Sequence, residues 1–369
     1  MQQTRRLLSI LALVLFSVVS QAQSTPLMIG QVIDLSGPNA DFGRDYSLGA
    51  KVYFDYTNST GGINGRRIIY RSSDSAGSAS SGLAAAQNLV SEGASVLFGV
   101  SGDAVIDAIV RDGSIRNSGV SLFAGISGNP PESSKDSFIY LRAGTAQEIE
   151  AMVAHLAPLG IRNISLASTS EFSQEAGNAL ESAARRFGVK IMARLRFNIA
   201  GEGPGLAAQN IARDKPQAVI VAADTLAVGQ FFKRYRTLDP GAFLCATSQV
   251  NVRTLIGIMG LSAAHGLILS QVVPDPTSIS ELTREHRKLM ERLADEPASH
   301  ATLEGFVAAK TLVRSLQHNR KTGRTALLQG LQKEGHFDLG GYDLNFSKGA
   351  RGSNFVELTV VGRNGQLLR

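Results

Sequence analysis

GQVIDLSGPNADFGRDYSLGAKVYFDYTNSTGGINGRRIIYRSSD, residues 30–74, is the stretch that decides the fold. Together with Met28 and Ile29 just before it, the apolar run Val32, Ile33, Leu35 reads as a buried strand, closed by the turn residues Ser36-Gly37-Pro38-Asn39. Leu48, Val52, Tyr53 and Tyr56 then recur at helical spacing, and Gly61-Gly62-Ile63-Asn64-Gly65 stops the helix. A second strand, Arg67 to Arg71, leads to Asp74. A strand, a glycine-bearing loop, a helix and a strand make a β-α-β unit. The loop lies at the carboxyl end of its strand, where open α/β sheets bind ligands.

The same rhythm runs outward along the chain. Helical spacing spans Ser78 to Glu92, and a short apolar strand spans Ser95 to Gly99. Ser101-Gly102-Asp103 starts a helix to about Arg116; strands follow at Ser121 to Ala124 and Phe138 to Leu141. Arg142-Ala143-Gly144 reads as a crossing point, after which the alternation restarts: helices at Ala146 to Leu159, Glu171 to Phe187 and Thr225 to Leu238, strands at Asn163 to Ala167, Lys190 to Phe197, Ala218 to Ala222, Phe243 to Ala246 and Gly266 to Val273. Three helical stretches and a β-like end, Tyr342 to Phe346 and Phe355 to Val361, close the chain. This pattern requires parallel sheets covered on both faces. The expected fold class is α/β, with two doubly wound parallel-sheet lobes joined by a hinge. Lobe 1 is expected at 25–143 plus 274–338, and lobe 2 at 144–273 plus 339–369.

Composition narrows the function. Of 369 residues, 43% are apolar and 18% charged, the balance of a soluble globular chain. Met1 to Ala22 has a basic start, an apolar core from Leu7 to Val19 and the small-residue context Ser20-Gln21-Ala22, the pattern of a cleaved secretory signal. Its core of about 13 residues is shorter than the ~20 a membrane span needs. The formal charge of +6 includes Arg5 and Arg6 of that leader. The remaining cations are scattered and are not interleaved with aromatics, so nucleic acid is not an expected partner. Cys245 is the only cysteine, so no internal disulfide forms, and its apolar setting makes it a small core residue.

Catalytic motifs are missing. The glycine-rich loop Gly201-Glu202-Gly203-Pro204-Gly205 carries Pro204 where a dinucleotide fingerprint needs a free backbone. There is no Gly-x-Ser-x-Gly elbow and no Walker-type lysine. The six histidines (155, 265, 286, 300, 318 and 336) have no metal-ligand spacing. No catalysis, cofactor or metal is expected.

Leu35-Ser36-Gly37-Pro38, Asp41-Phe42-Gly43, Gly49-Ala50, Gly61-Gly62-Ile63-Asn64-Gly65 and Asp74 resemble the opening of type I periplasmic solute-binding proteins of the leucine/isoleucine/valine-binding family. The resemblance continues through Val96-Leu97-Phe98-Gly99 and the segment from Ser121 to Gly128. It implies a bilobed periplasmic protein with about three hinge crossings. One small polar solute, an amino acid or similar, is clamped between the lobes and delivered to a membrane ABC permease. The alternative role is a ligand-sensing periplasmic subunit of a regulatory system for amides or carboxylic acids.

The resemblance also implies site residues. Phe42, in the first loop, stands where the family places an aromatic lid. Ser101 and Gly102 stand at its anion-binding helix start, where Ser101 is equally suited to cap the helix. Asp103, in the first turn, would repel an anion there. Ile126 and Ser127 match a loop that offers an amide and a hydroxyl. Phe172 matches a second-lobe aromatic. Asp224 is placed either to pair with an ammonium or to cap the helix that follows. Where the family commonly has an amine-binding glutamate this chain has Thr247, Ser248 or Gln249, with Ser248 the candidate contact. A common aromatic is replaced by Ala301. Unless Asp224 compensates, these departures admit a neutral amide or an aromatic or aliphatic acid as ligand in place of an ordinary α-amino acid.

Overall fold

The computed structural model describes residues 25–134, 137–169, 173–198, 203–318 and 322–369. The strands, in chain order, are β1 (Leu27–Ile33), β2 (Ile68–Asp74), β3 (Val96–Phe98), β4 (Ser121–Phe123), β5 (Phe138–Ile139), β6 (Asn163–Thr169), β7 (Lys190–Phe197), β8 (Ala218–Ala222), β9 (Phe243–Ala246), β10 (Ile268–Gln271), β11 (His336–Asp338), β12 (Asp343–Asn345), β13 (Glu357–Val361) and β14 (Leu367–Leu368). They form a five-stranded sheet ordered β2-β1-β3-β4-β5, a seven-stranded sheet ordered β14-β13-β10-β9-β8-β6-β7, and a small β11-β12 pair. The first sheet is wholly parallel. The second is parallel from β6 to β10, with β13 and β14 antiparallel at one edge.

The apolar runs explain why both sheets are covered twice. Alternate side chains of a strand point to opposite faces. In β1, Leu27, Ile29 and Ile33 enter one hydrophobic cluster and Met28 and Val32 another. In β8, Val219 and Val221 enter one cluster and Ala218, Ile220 and Ala222 another. Each strand therefore divides two helical layers. Cys245 is buried, as its setting predicts.

Three segments carry the chain between the sheets: residues 140–144 after β5, 272–280 after β10, and 346–356 before β13. The last differs from the expected boundary. Leu339, Tyr342, Leu344 and Phe346 pack in the first lobe's core, so the return to lobe 2 comes after Phe346 and not at 339. The alternation around Phe337 and Leu344 builds the β11-β12 pair, whose apolar face needs that core.

Two helices form the spine of the first lobe, Ala40–Ser59 and His300–His318. They approach backbone to backbone. A Cβ on Gly49 would lie 1.8 Å from the Thr302 carbonyl oxygen, and one on Gly305 would lie 1.9 Å from that of Tyr46. Only glycine permits this spacing.

Local boundaries shift in instructive ways. The helix expected from Ser101 to Arg116 is two helices, Asp103–Arg111 and Gly113–Ser118, because Asp112 takes extended dihedrals and caps the second through the Ile115 amide. The glycine-rich 201–205 segment is not wholly a loop: Gly203–Ala212 is helical, with Pro204 in its first turn, where a missing N–H costs nothing. Among the described residues no helix is long and apolar enough to cross a membrane.

Candidate functional site

The cleft between the sheets contains two cavities that share Phe42 as a wall. The first, of about 300 Å³, lies at the carboxyl ends of β1, β6 and β7, as the sheet topology requires. From the first lobe it takes Pro38, Asn39, Phe42, Ser101 and Ala104; from the second, Thr169, Phe197, Asn198, Asp224 and Gln249.

Phe42 is not a loop residue. It occupies the first turn of the helix Ala40–Ser59, is 4% exposed, and packs 6.2 Å from the Tyr46 ring while lining both cavities. Asp34 fixes the loop in front of it, its carboxylate accepting from the amides of Gly37 at 2.6 Å and Asn39 at 2.9 Å. Asp74 accepts from the Leu35 and Ala76 amides and the Ser36 hydroxyl; desolvation is the largest single influence and raises its pKa, but these hydrogen bonds together outweigh it and lower the pKa. The opening loop is thus shaped by two carboxylates spent on backbone.

At the helix Asp103–Arg111 the cap is Gly102, not Ser101. Gly102 has φ of 91°, a value side-chain-bearing residues rarely adopt. Ser101 Oγ accepts from the Asp34 amide at 3.1 Å, and its own amide donates to the Val32 carbonyl. The Gly102 amide donates to the Ile126 carbonyl and the Ile126 amide to that of Val100, so neither is directed at a ligand. Ser127 is 1% exposed and donates its hydroxyl to Asp103. It is not among the residues lining either cavity. Ser101, Gly102 and Ile126 do line the first cavity, so the structure gathers these three with Phe42 and Asp224 and leaves Ser127 behind them.

Asp224 does two things. It caps the helix Thr225–Leu238, accepting from the Ala227 amide at 2.9 Å, and it lines the first cavity from the second lobe. It is 6% exposed, and burial raises its pKa. Backbone amides pull the other way, and negative Asp41 from the first lobe adds to the rise. No Lys, Arg or His among the described residues pairs with it or lines this cavity. A buried carboxylate in that setting is complementary to a cation. Phe172 lies outside the described residues.

Ser248 lies in the second cavity and belongs to the hinge. Arg142, 2% exposed at the first crossing, donates to Ser248 Oγ and to Glu304 at 3.2 Å, and stands 3.6 Å from Glu148. Glu148 also accepts from the Ser248 amide at 2.7 Å and the Ser270 hydroxyl at 2.5 Å. Burial raises the pKa of Glu304, which Arg142 opposes. Arg142 therefore ties a first-lobe helix to a second-lobe helix through one buried side chain.

The family model described as "Periplasmic binding protein" matches residues 26–361, nearly the whole described chain. The chain belongs to the periplasmic binding protein family. An extracellular ligand-binding receptor from Verminephrobacter eiseniae is 25% identical and superposes with a TM-score of 0.86, covering 93% of this chain and 100% of that one. A substrate-binding periplasmic protein from Ralstonia solanacearum is 26% identical, with a TM-score of 0.85 over 93% of this chain and 99% of that one. A curated relative, "Leu/Ile/Val-binding protein homolog 3" of Brucella melitensis biotype 1, is 30% identical over 95 residues, 26% of each chain; the match thus spans about a quarter of that relative's length. The type I bilobed fold expected from residues 30–74 is thereby shown. Sequence reasoning did not single out Thr169, Phe197 or Asn198, which reach the cavity only because β6 and β7 pair in register from Ser168–Arg196 to Thr169–Phe197.

Proposed function

We propose that this protein is the periplasmic solute-binding component of an ABC importer, clamping an amino acid or a similar small solute that bears an ammonium group. It acts as a carrier, not a catalyst, and hands the solute to a membrane permease after export through a cleaved leader. One observation supports the ammonium: Asp224 is a buried carboxylate in the cavity wall without a cationic partner among the described residues. Asp41 and Asp224 bring like charge together when the lobes close, and a cation between them turns that repulsion into attraction. Ligand contacts made by both lobes exist only in the closed form, so binding shifts the population toward closure.

Calorimetric titration of amino acids against their des-amino analogues tests the reading. An amino acid binds the native protein, and Asp224→Asn weakens it about tenfold or more, while des-amino analogues lose nothing. Equal affinity of native protein and variant for every amino acid that binds would defeat it.

A further inference from the structure

The two cavities beside Phe42 are chambers of one cleft, and they differ in how their charges are balanced. In the second, of about 280 Å³, each lining carboxylate faces a cation of the protein. Asp45 accepts from Arg253, Glu304 pairs with Arg142, and Asp275 lies 3.9 Å from Arg369.

The first, of about 300 Å³, is lined by Asp34 and Asp224, and the charge of Asp41 reaches Asp224. None of the three has a cationic partner among the described residues. Asp34 accepts from the Gly37 and Asn39 amides, Asp41 from the Phe42 amide at 2.7 Å, and Asp224 from the Ala227 amide. An amide steadies a carboxylate but leaves its net charge in place. The sequence at 170–172 and 199–202, directly after β6 and β7, adds no Lys, Arg or His. The other polar side chains of the lining, among them Asn39, Thr169 and Gln249, are uncharged.

A zwitterion placed here meets Asp224 with its ammonium, but its carboxylate enters the same negative field. The helix start that lines the chamber offers little relief. Asp103 stands in its first turn and offsets the dipole that would attract an anion. The Gly102 and Ile126 amides donate to backbone carbonyls. Two aromatic rings complete the contrast, Phe42 from the first lobe and Phe197 from the second, both buried in the wall. Aromatic rings attract an ammonium group and have no such attraction for a carboxylate.

We infer that the preferred solute of this site is a net cation, a primary amine whose other groups carry no negative charge, in place of the zwitterion of an amino acid. This specificity rests on the ammonium contact proposed for Asp224 and narrows the class of solute. The wall selects against the carboxylate, because like charges brought together in a closed site are strongly unfavourable.

The test is calorimetry on the full-length mature protein at pH 7 with two matched pairs, 3-methylbutylamine against leucine and 2-phenylethylamine against phenylalanine. Each amine is the amino acid without its carboxylate, and an alkyl ammonium with a pKa of about 10 stays charged at that pH. At least one amine binds about tenfold or more tightly than its amino acid. Asp224→Asn weakens the amine. Asp41→Asn, which keeps the size of the side chain and removes its charge, narrows the gap between amine and amino acid. Failure of both amines to bind, an amino acid that binds as tightly as its amine, or a gap that neither variant changes would each overturn the inference. If an amino acid outbinds its amine and still loses affinity in Asp224→Asn, the solute's carboxylate is received, and the proposed function stands without this restriction. If Asp224→Asn alters the affinity of no ligand that binds, both fall.

Discussion

Arg253, near the start of a second-lobe helix, donates to both carboxylate oxygens of Asp45 on the first lobe at 3.2 Å. Asn251 reaches the same carboxylate at 3.3 Å, and Ser299 at 3.0 Å. The two lobes are thus joined directly by their own side chains. The Arg253 side chain is half exposed, so the bridge is worth about 1 kcal/mol or less and weakens with salt. Arg253→Ala is expected to shift the solute-free protein toward the open form, read as a larger radius of gyration in solution scattering. An unchanged scattering profile at low salt would show that the bridge does not hold the lobes.

Asp224 supplies a pH dependence. Its folded-state pKa is raised above the ordinary carboxylate value, by burial first. As pH falls through that raised value, the folded state takes up the proton before the unfolded state does. The group's contribution to stability therefore rises on acidification, against the general trend of acid unfolding. Binding moves the other way, because an ammonium needs the carboxylate charged. Affinity for an ammonium-bearing solute is expected to fall at a pH above the ordinary aspartate range, in titrations taken from pH 7 downward.

Asp224→Asn separates the two roles of the residue. Asparagine caps helices about as well as aspartate, so the cap to Ala227 survives. Removing a buried charge that lacks a cationic partner is expected to stabilise the solute-free protein by about 1 kcal/mol, measured by denaturant unfolding. A loss of that size instead would mean that the charge is compensated in the folded state.

Arg142→Met leaves Glu148 and Glu304 facing each other in the hinge without their cation. Breaking a buried pair from one side costs about 3–5 kcal/mol. The same variant combined with Glu304→Gln is expected to recover part of that loss, and a double-variant cycle gives the coupling. Additive losses would show that Arg142 and Glu304 are energetically independent.

Gly305→Val places a side chain against the Tyr46 carbonyl. The spine helices must separate, at a cost of about 2–4 kcal/mol. Gly113 has open space where its Cβ would stand, and Gly113→Ala is the control. Equal unfolding midpoints for the two variants would contradict the close packing.

The architecture was legible because buried parallel strands announce themselves: the all-apolar Ala218–Ala222 run admits little else. The start of the helix at Ala40 was not, because Asn39 makes no side-chain cap there, and Phe42 was read as a loop residue for want of that signal. Asp224 was legible as a helix cap, since a carboxylate at a strand end before a helix is suited to that use, and the fold also sets it in the cavity wall. Ser127 was misleading. Its hydroxyl is absorbed by Asp103, a partner 24 positions away that only the folded chain brings near. The second chamber left a trace in the absence of bulk at Ser248 and Ala301, but nothing in the spacing of residues 248 and 301 shows that they line one space.

The glycine contact between the spine helices has a mechanical consequence. Phe42 and Asp45 ride on one of these helices, His300, Ala301 and Glu304 on the other, and the contact at Gly49 and Gly305 leaves the pair almost no freedom to slide. The partition between the chambers, the cross-lobe bridge and the hinge carboxylate therefore behave as fixtures on a single lever. Any rotation of one spine helix is therefore expected to carry all three points with it.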